Sequence, residues 1–191
     1  MQTHINIWHV EILDSKLVPV NLPPRTYDLK KLSSPLPEFN RFLYLAVGAP
    51  WNWYMRLDWT YQQWQTFLNR PGVETWVAYR DGTPIGYFEL EQQHQGSVEI
   101  AYFGLISDFI GQGFGKTLLE DAIAAAWQLG GRRVWLHTCS LDHPRALENY
   151  LDRGFVIFKE EQIIDNLPHE PIEPWPNAGK YSANRKTPKA V

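Results

Sequence analysis

The chain has 191 residues, with 18 lysines and arginines against 21 aspartates and glutamates and a formal net charge of −3. That length suits one domain with extensions, and the near-balanced charge gives no electrostatic case for a nucleic-acid partner. No run of eighteen apolar residues offers a membrane span, the start MQTHINIWHVEIL lacks a basic region followed by an apolar run, and one cysteine cannot form an intrachain disulfide; a soluble cytoplasmic protein is expected.

The first apolar stretch, INIWHVEIL, reads as a strand, expected at a sheet edge within an N-terminal extension of residues 1–37. Pro19, Pro23, Pro24, Pro35 and Pro37 leave no room there for longer elements. EFNRFLYLAV (38–47) reads as a helix ended by Gly48 and Pro50, and a second helix is expected from Thr60 to Asn69, stopped by RPG. VETWVAYRDGTPIGYFELEQ has two β-rich runs around Asp81-Gly82, the signature of a hairpin. SVEIAYFGLI (97–106) is almost continuously apolar, as a central strand covered on both faces must be.

A loop with glycines at 111, 113 and 115 follows, and a helix runs from Phe114 to Leu129. Its stripe of Leu118, Ala122, Ala125 and Leu129 has helical spacing, and Gly130-Gly131 stops it. RRVWLHTC is the next strand. HPRALENYLDR forms a short helix with Pro144 suited to its first turn, and GFVIFKEE is the last strand. Residues 161–191 turn proline-rich and then basic, with Ile163, Ile164, Trp175 and Tyr181 as apolar anchors. This tail is expected to pack on the domain or on a second subunit of a homodimer. The hairpin is antiparallel and the strand–loop–helix–strand unit suits a parallel crossover. A mixed α/β fold follows, one twisted sheet with helices on both faces.

The stretch GLISDFIGQGFGKTLLE carries the chemistry. Glycines at alternate positions followed by Lys116 and Thr117 suggest backbone amides that cradle phosphate, but two familiar loops fail on spacing. A Walker A loop needs a glycine at position 110, which is Ile110; a dinucleotide fingerprint beginning at Gly111 needs its third glycine at 116, which is Lys116. His137, Cys139, Asp142 and His143 share the stretch HTCSLDH and imitate metal ligands. No second ligand pair stands elsewhere, so no metal is expected and Cys139 reads as a buried thiol. WNWYMRLDWTYQQW concentrates four of nine tryptophans, Trp51, Trp53, Trp59 and Trp64. Such rings either grip an apolar or cationic amine or simply pack.

The order strand, glycine loop, helix, strand, short helix, Gly-Phe strand resembles the GNAT superfamily of N-acetyltransferases. Gly113 and Gly115 match the small positions of that family's (Q/R)xxGx(G/A) loop, with Ile110 in place of Gln or Arg. Ala146, Tyr150, Gly154 and Phe155 match NxxAxxxYxxxGF, with His143 in place of Asn. Glu99 stands where one branch carries a carboxylate base. The resemblance covers residues 38–160 and implies a GNAT-like fold whose splayed central strands bind acetyl-CoA, which donates its acetyl group to a primary amine of a small molecule or peptide.

It further implies that the loop from Ile110 through Gly111, Gln112, Gly113, Phe114 and Gly115 to Lys116 holds the pyrophosphate. Phe103, Gly104 and Leu105 would pair with pantetheine, with His143, Ala146 and Tyr150 completing the coenzyme A site. Gly104 marks a bulge or a close approach. Glu99 would be the base, or else a structural ion pair; Tyr150 would protonate the leaving thiolate, or else fill the core. The segment before the hairpin builds the acceptor pocket in this family, which assigns it here to Trp51, Trp53, Tyr54 and Trp59. Two other readings stay open: an acyl-CoA-binding module without turnover, and a nucleotide-binding protein using Gly115-Lys116-Thr117.

Overall fold

The computed structural model describes residues 2–13, 24–168 and 172–173. Trp175 and Tyr181, the distal anchors expected for the tail, lie outside them. The elements in chain order are β1 (Gln2–Ile12), β2 (Asp28–Lys31), α1 (Pro37–Gly48), α2 (Tyr61–Leu68), β3 (Val73–Arg80), β4 (Thr83–Gln92), β5 (Ser97–Leu105), α3 (Phe114–Gln128), β6 (Arg133–Cys139), α4 (Ala146–Leu151) and β7 (Val156–Asn166). Among the described residues no helix is long and apolar enough to cross a membrane.

The strands form a single sheet in the order β2-β3-β4-β5-β6-β1-β7. Its ladders are antiparallel except for β5 against β6, the parallel crossover expected around α3. Asp81 and Gly82 join β3 to β4 in a two-residue turn with φ of 51° and 78°, the left-handed pair that a tight hairpin requires. α2 begins with a reciprocal cap: Thr60 Oγ1 accepts the Gln63 amide, while Gln63 Oε1 accepts the Thr60 amide at 2.8 Å.

Helices cover both faces. Ala78, Ile85, Phe88, Leu90, Val98 and Ile100 pack on one side with Leu118, Leu119, Ala122 and Ile123 of α3. On the other side Val77 and Tyr87 meet Leu43 and Val47 of α1, beside the cluster of Tyr44, Trp64 and Leu68. β5 feeds both layers, which explains its continuous apolar run.

Three expectations need correction. β1 is not an edge strand: it is paired with β6 on one side and β7 on the other, because its apolar residues alternate into the core, with Val10 and Ile12 fully buried. The last strand does not end near residue 160. β7 continues to Asn166, because Glu161 to Asn166 pair with Ile7 to Gln2 of β1. Ile163 and Ile164, assigned to the tail, are therefore strand residues. Pro144 stands in the turn before α4 rather than in its first turn, and Arg145 is the cap.

Candidate active site

β5 and β6 pair only at Ser97–Arg133, Val98–Val134 and Glu99–Trp135. Beyond those three rungs they part, so the β6-facing backbone of β5 from Ile100 to Leu105 has no partner strand among the described residues. The parting opens a cavity of about 1000 Å³ that passes from the α3–α4 side of the sheet to the α1 side. The strands part where β5 is deformed. Glu89 pairs with Tyr102 and Leu90 with Ile100, leaving Ala101 as an extra residue without a partner on β4. The bulge therefore sits at Ala101 and not at Gly104. Gly104 is required by a close approach instead: a Cβ there would lie 2.5 Å from Val47 Cγ1 of α1.

The glycine loop lines one end of the cavity through Ile110, Gly111, Gly113, Gly115 and Lys116. Gly111 and Gly113 have φ of 81° and 88°, a backbone that L side chains rarely adopt, and Gly113 caps α3 in that conformation. A Cβ on either would meet nothing within 4 Å among the described residues, so the loop's surface is open to them on the side where a ligand would sit. The unpaired amides at the start of α3 add the positive end of the helix dipole.

Two of the expected loop residues do other work. Phe114 is buried in the core against Tyr27 and Phe109, so its side chain cannot touch a ligand. Gln112 turns its side-chain amide onto the Asp108 carbonyl at 2.8 Å. Ile110 packs partly on the core as well as lining the cavity, which gives an apolar residue a reason to stand there.

Arg153 was not singled out by the sequence. It lines the cavity, donates to the Asn149 carbonyl at 2.7 Å and the Lys116 carbonyl at 3.3 Å, and lies 3.5 Å from Glu120. It staples the end of α4 to the first turn of α3 and places a second cation beside Lys116.

Phe103, Gly104, Leu105, His143, Ala146 and Tyr150 also line the cavity. His143 accepts the Arg145 amide on Nδ1 at 3.1 Å, so its imidazole serves as a turn acceptor just before α4. Tyr150 packs its ring 6.2 Å from Phe103 and 6.0 Å from Phe155. Burial, with the charge of Asp142 second, pushes its hydroxyl well above the ordinary tyrosine value, so it stays protonated and able to donate.

On the α1 side the wall is Trp51, Trp53, Tyr54 and Met55 with Ile5, Ile7 and Ile163. Tyr54 donates a short hydrogen bond to Asp165, which holds that carboxyl below its usual range and therefore ionised. Trp59 is not part of this wall. It packs edge-on to Trp64 and Phe67 and lies 4.6 Å from the Arg56 guanidinium. The reason is a buried ion pair that the sequence reading did not find: Arg56 Nη1 lies 2.9 Å from Glu89 Oε1, both side chains nearly inaccessible, with Trp59, Trp64, Phe67 and Tyr102 around the guanidinium. Its signal was an acidic residue between Phe88 and Leu90, and one arginine within the tryptophan run.

Glu99 does not reach the cavity wall. Gln93 Nε2 donates to it at 2.9 Å, and its other oxygen lies 3.5 Å from His137 Nδ1; His137 does line the cavity. Cys139 lines it too, but burial, then Asp142, raises its thiol above the usual value, which keeps it out of nucleophilic form. Among the described residues no group of three or more acidic, histidine or cysteine side chains could hold a metal ion.

A sheet split beside a glycine loop that opens a helix is the geometry expected of coenzyme A binding, and comparison with known proteins decides the family. The model of the acetyltransferase (GNAT) family matches residues 36–155, more than half of the chain. The chain belongs to the GNAT acetyltransferase family. The fold is shared with a GCN5-related N-acetyltransferase from Sphaerobacter thermophilus (TM-score 0.63, 17% identity, 84% of this chain and 50% of that one). It is shared also with one from Kribbella flavida (TM-score 0.61, 16% identity, 88% and 61%). An aminoglycoside acetyltransferase from an uncultured soil metagenomic sample, solved with trehalose, gives a TM-score of 0.56 at 17% identity over 76% of this chain and 97% of its own. The chain spans between half and two thirds of the length of the first two. No curated protein matches it by sequence. GNAT enzymes generally take acetyl-CoA as donor and act on amine acceptors.

Proposed function

We propose that this GNAT protein is an acetyl-CoA-dependent N-acetyltransferase in which the acceptor amine attacks the thioester directly. The observation that carries the reading is the cavity itself, which joins the glycine loop on one side of the sheet to an aromatic wall on the other through the gap between β5 and β6. The open loop surface over Gly111 and Gly113 and the unpaired β5 edge fit coenzyme A. The amides of Gly111 to Lys116, with Lys116 and Arg153, would hold its pyrophosphate, and the β5 edge from Phe103 to Leu105 would take pantetheine as an added strand. When bound, acetyl-CoA supplies an activated acyl carbon and a thiol leaving group.

The rest is the work of this chain's own groups. A backbone N–H on the free edge of β5 stabilises charge on the carbonyl oxygen. Tyr150, held protonated by burial, donates to the departing sulfur. The acceptor half combines apolar walls with an ionised carboxylate, Asp165, which suits a primary amine carried on an apolar or aromatic body.

A panel of arylalkylamines, alkylamines, polyamines, an aminoglycoside and short peptides, read by thiol release with acetyl-CoA, tests this. Amines on apolar or aromatic bodies should be acetylated with the highest kcat/KM. Thiol release from no amine, or from the polycations alone, would refute the proposal.

A further inference from the structure

Resting on the transferase reading above, we propose that His137, and not Glu99, takes the proton from the acceptor amine, and that Glu99 is a positioning residue behind it. Three observations lead there. Glu99 is the carboxylate that the family resemblance points to, yet it lies off the cavity wall with one oxygen occupied by Gln93. His137 stands between it and the cavity, with Nδ1 3.5 Å from Glu99 Oε1, so the other ring nitrogen is the one left to face an acceptor. The register of β6 puts Trp135, His137 and Cys139 on the acceptor face of the sheet, while Val134 and Leu136 enter the α3 core.

The groups facing His137 come from every neighbouring element. Glu99 is on β5, and Asp142 lies in the turn after β6. His9 on β1 has its ring 5.9 Å away and its Nε2 2.6 Å from Glu161 of β7; Cys139 is two residues along β6. The hydrogen bond to Glu99, with the charges of Glu99, Asp142 and Glu161 adding to it, outweighs burial and holds the His137 imidazole above its ordinary value.

The balance of the step is simple. The acceptor ammonium gives a proton to His137, and the freed lone pair forms the N–C bond as the C–S bond breaks. The N-protonated amide that results sheds its second proton to solvent to become the neutral amide, and the thiolate takes the Tyr150 proton. His137 then releases its proton to solvent and Tyr150 regains one.

His137→Gln should lower kcat by about a hundred- to ten-thousand-fold and remove the rising limb of the kcat/KM–pH profile, with calorimetric acetyl-CoA affinity unchanged. Glu99→Gln should keep most of kcat and move that limb to lower pH, because the charge that raises the imidazole is gone. NMR titration of the free protein reads the same coupling without turnover: the His137 imidazole should titrate at the pH of the limb in wild type and at lower pH in Glu99→Gln. Loss of activity in Glu99→Gln with retention in His137→Gln would overturn the inference in favour of a direct carboxylate base. An imidazole that titrates identically in both proteins would overturn it equally. Failure of the transferase reading is distinct, since the wild-type chain would then release no thiol with any amine.

Discussion

Tyr150→Phe is expected to lower turnover by about a hundred- to ten-thousand-fold, the usual worth of one acid–base group, with acetyl-CoA affinity nearly unchanged. The substitution removes only the hydroxyl. The ring keeps its edge contacts to Phe103 and Phe155, so neither the core nor the cavity wall changes shape. What disappears is a proton donor that burial has kept protonated on the wall of the cavity. Steady-state kinetics with a thermal melt on the same sample separate the possibilities. Equal turnover in the two proteins would mean that Tyr150 is a core residue and that the thiolate leaves without its help.

Arg56→Met is expected to cost about 3–5 kcal/mol of stability, because it leaves Glu89 buried without its countercharge. At this chain length that loss corresponds to a fall in melting temperature of roughly 6–20 °C. Burial already pushes the Glu89 carboxyl above its usual range, against the opposing Arg56 charge, so the single variant should bind a proton there at higher pH. Adding Glu89→Leu should recover much of the loss, since an apolar pair in place of a buried ion pair is close to neutral. The segment Ala49 to Trp59 carries Trp51, Trp53 and Tyr54, and Arg56 is its pin to the sheet. The Michaelis constant for the amine should therefore rise in Arg56→Met more than that for acetyl-CoA. A single variant that melts within about 2 °C of wild type, under roughly 1 kcal/mol of loss, would contradict this account of the pair.

Local chemistry made most of the fold legible. Asp81-Gly82 demanded a tight hairpin, a helix opens at Thr60 as expected, and the apolar stripe of α3 faces the core. The glycines at 111 and 113 have the left-handed backbone that only glycine adopts freely. Long-range pairing was not legible. Nothing in INIWHVEIL says that β1 lies between β6 and β7, because a strand buried on one face looks the same in either position until its neighbours are known. The same holds for Ile163 to Asn166, which read as part of the tail until β1 pairs with them.

At the site, Gly111, Gly113 and Gly115, recognisable by their backbone needs, line the cavity, whereas side-chain partnerships could not be read from sequence. Trp59 shares a segment with Trp51, which pointed it to the acceptor pocket, but Arg56 draws it inward. His137 was set aside for want of metal partners. Its partner is Glu99 across a parallel ladder, 38 positions away in sequence.

The central claim, that the loop beside the split strands holds acetyl-CoA, is tested most directly by calorimetric titration of Gly115→Asp beside the wild-type chain. Gly115 lies in the first turn of α3 without a positive φ, and among the described residues a Cβ there meets only Leu105 Cδ1, at 3.7 Å. An aspartate at that place should leave the fold intact and even favour the helix through its dipole, by about 0.3–1 kcal/mol. Its carboxylate would face the pyrophosphate, and about 1.4 kcal/mol of repulsion already means a tenfold loss. The expected result is tight binding by wild type and binding at least about tenfold weaker by a variant that melts no lower. Equal affinity in the two proteins would contradict the account.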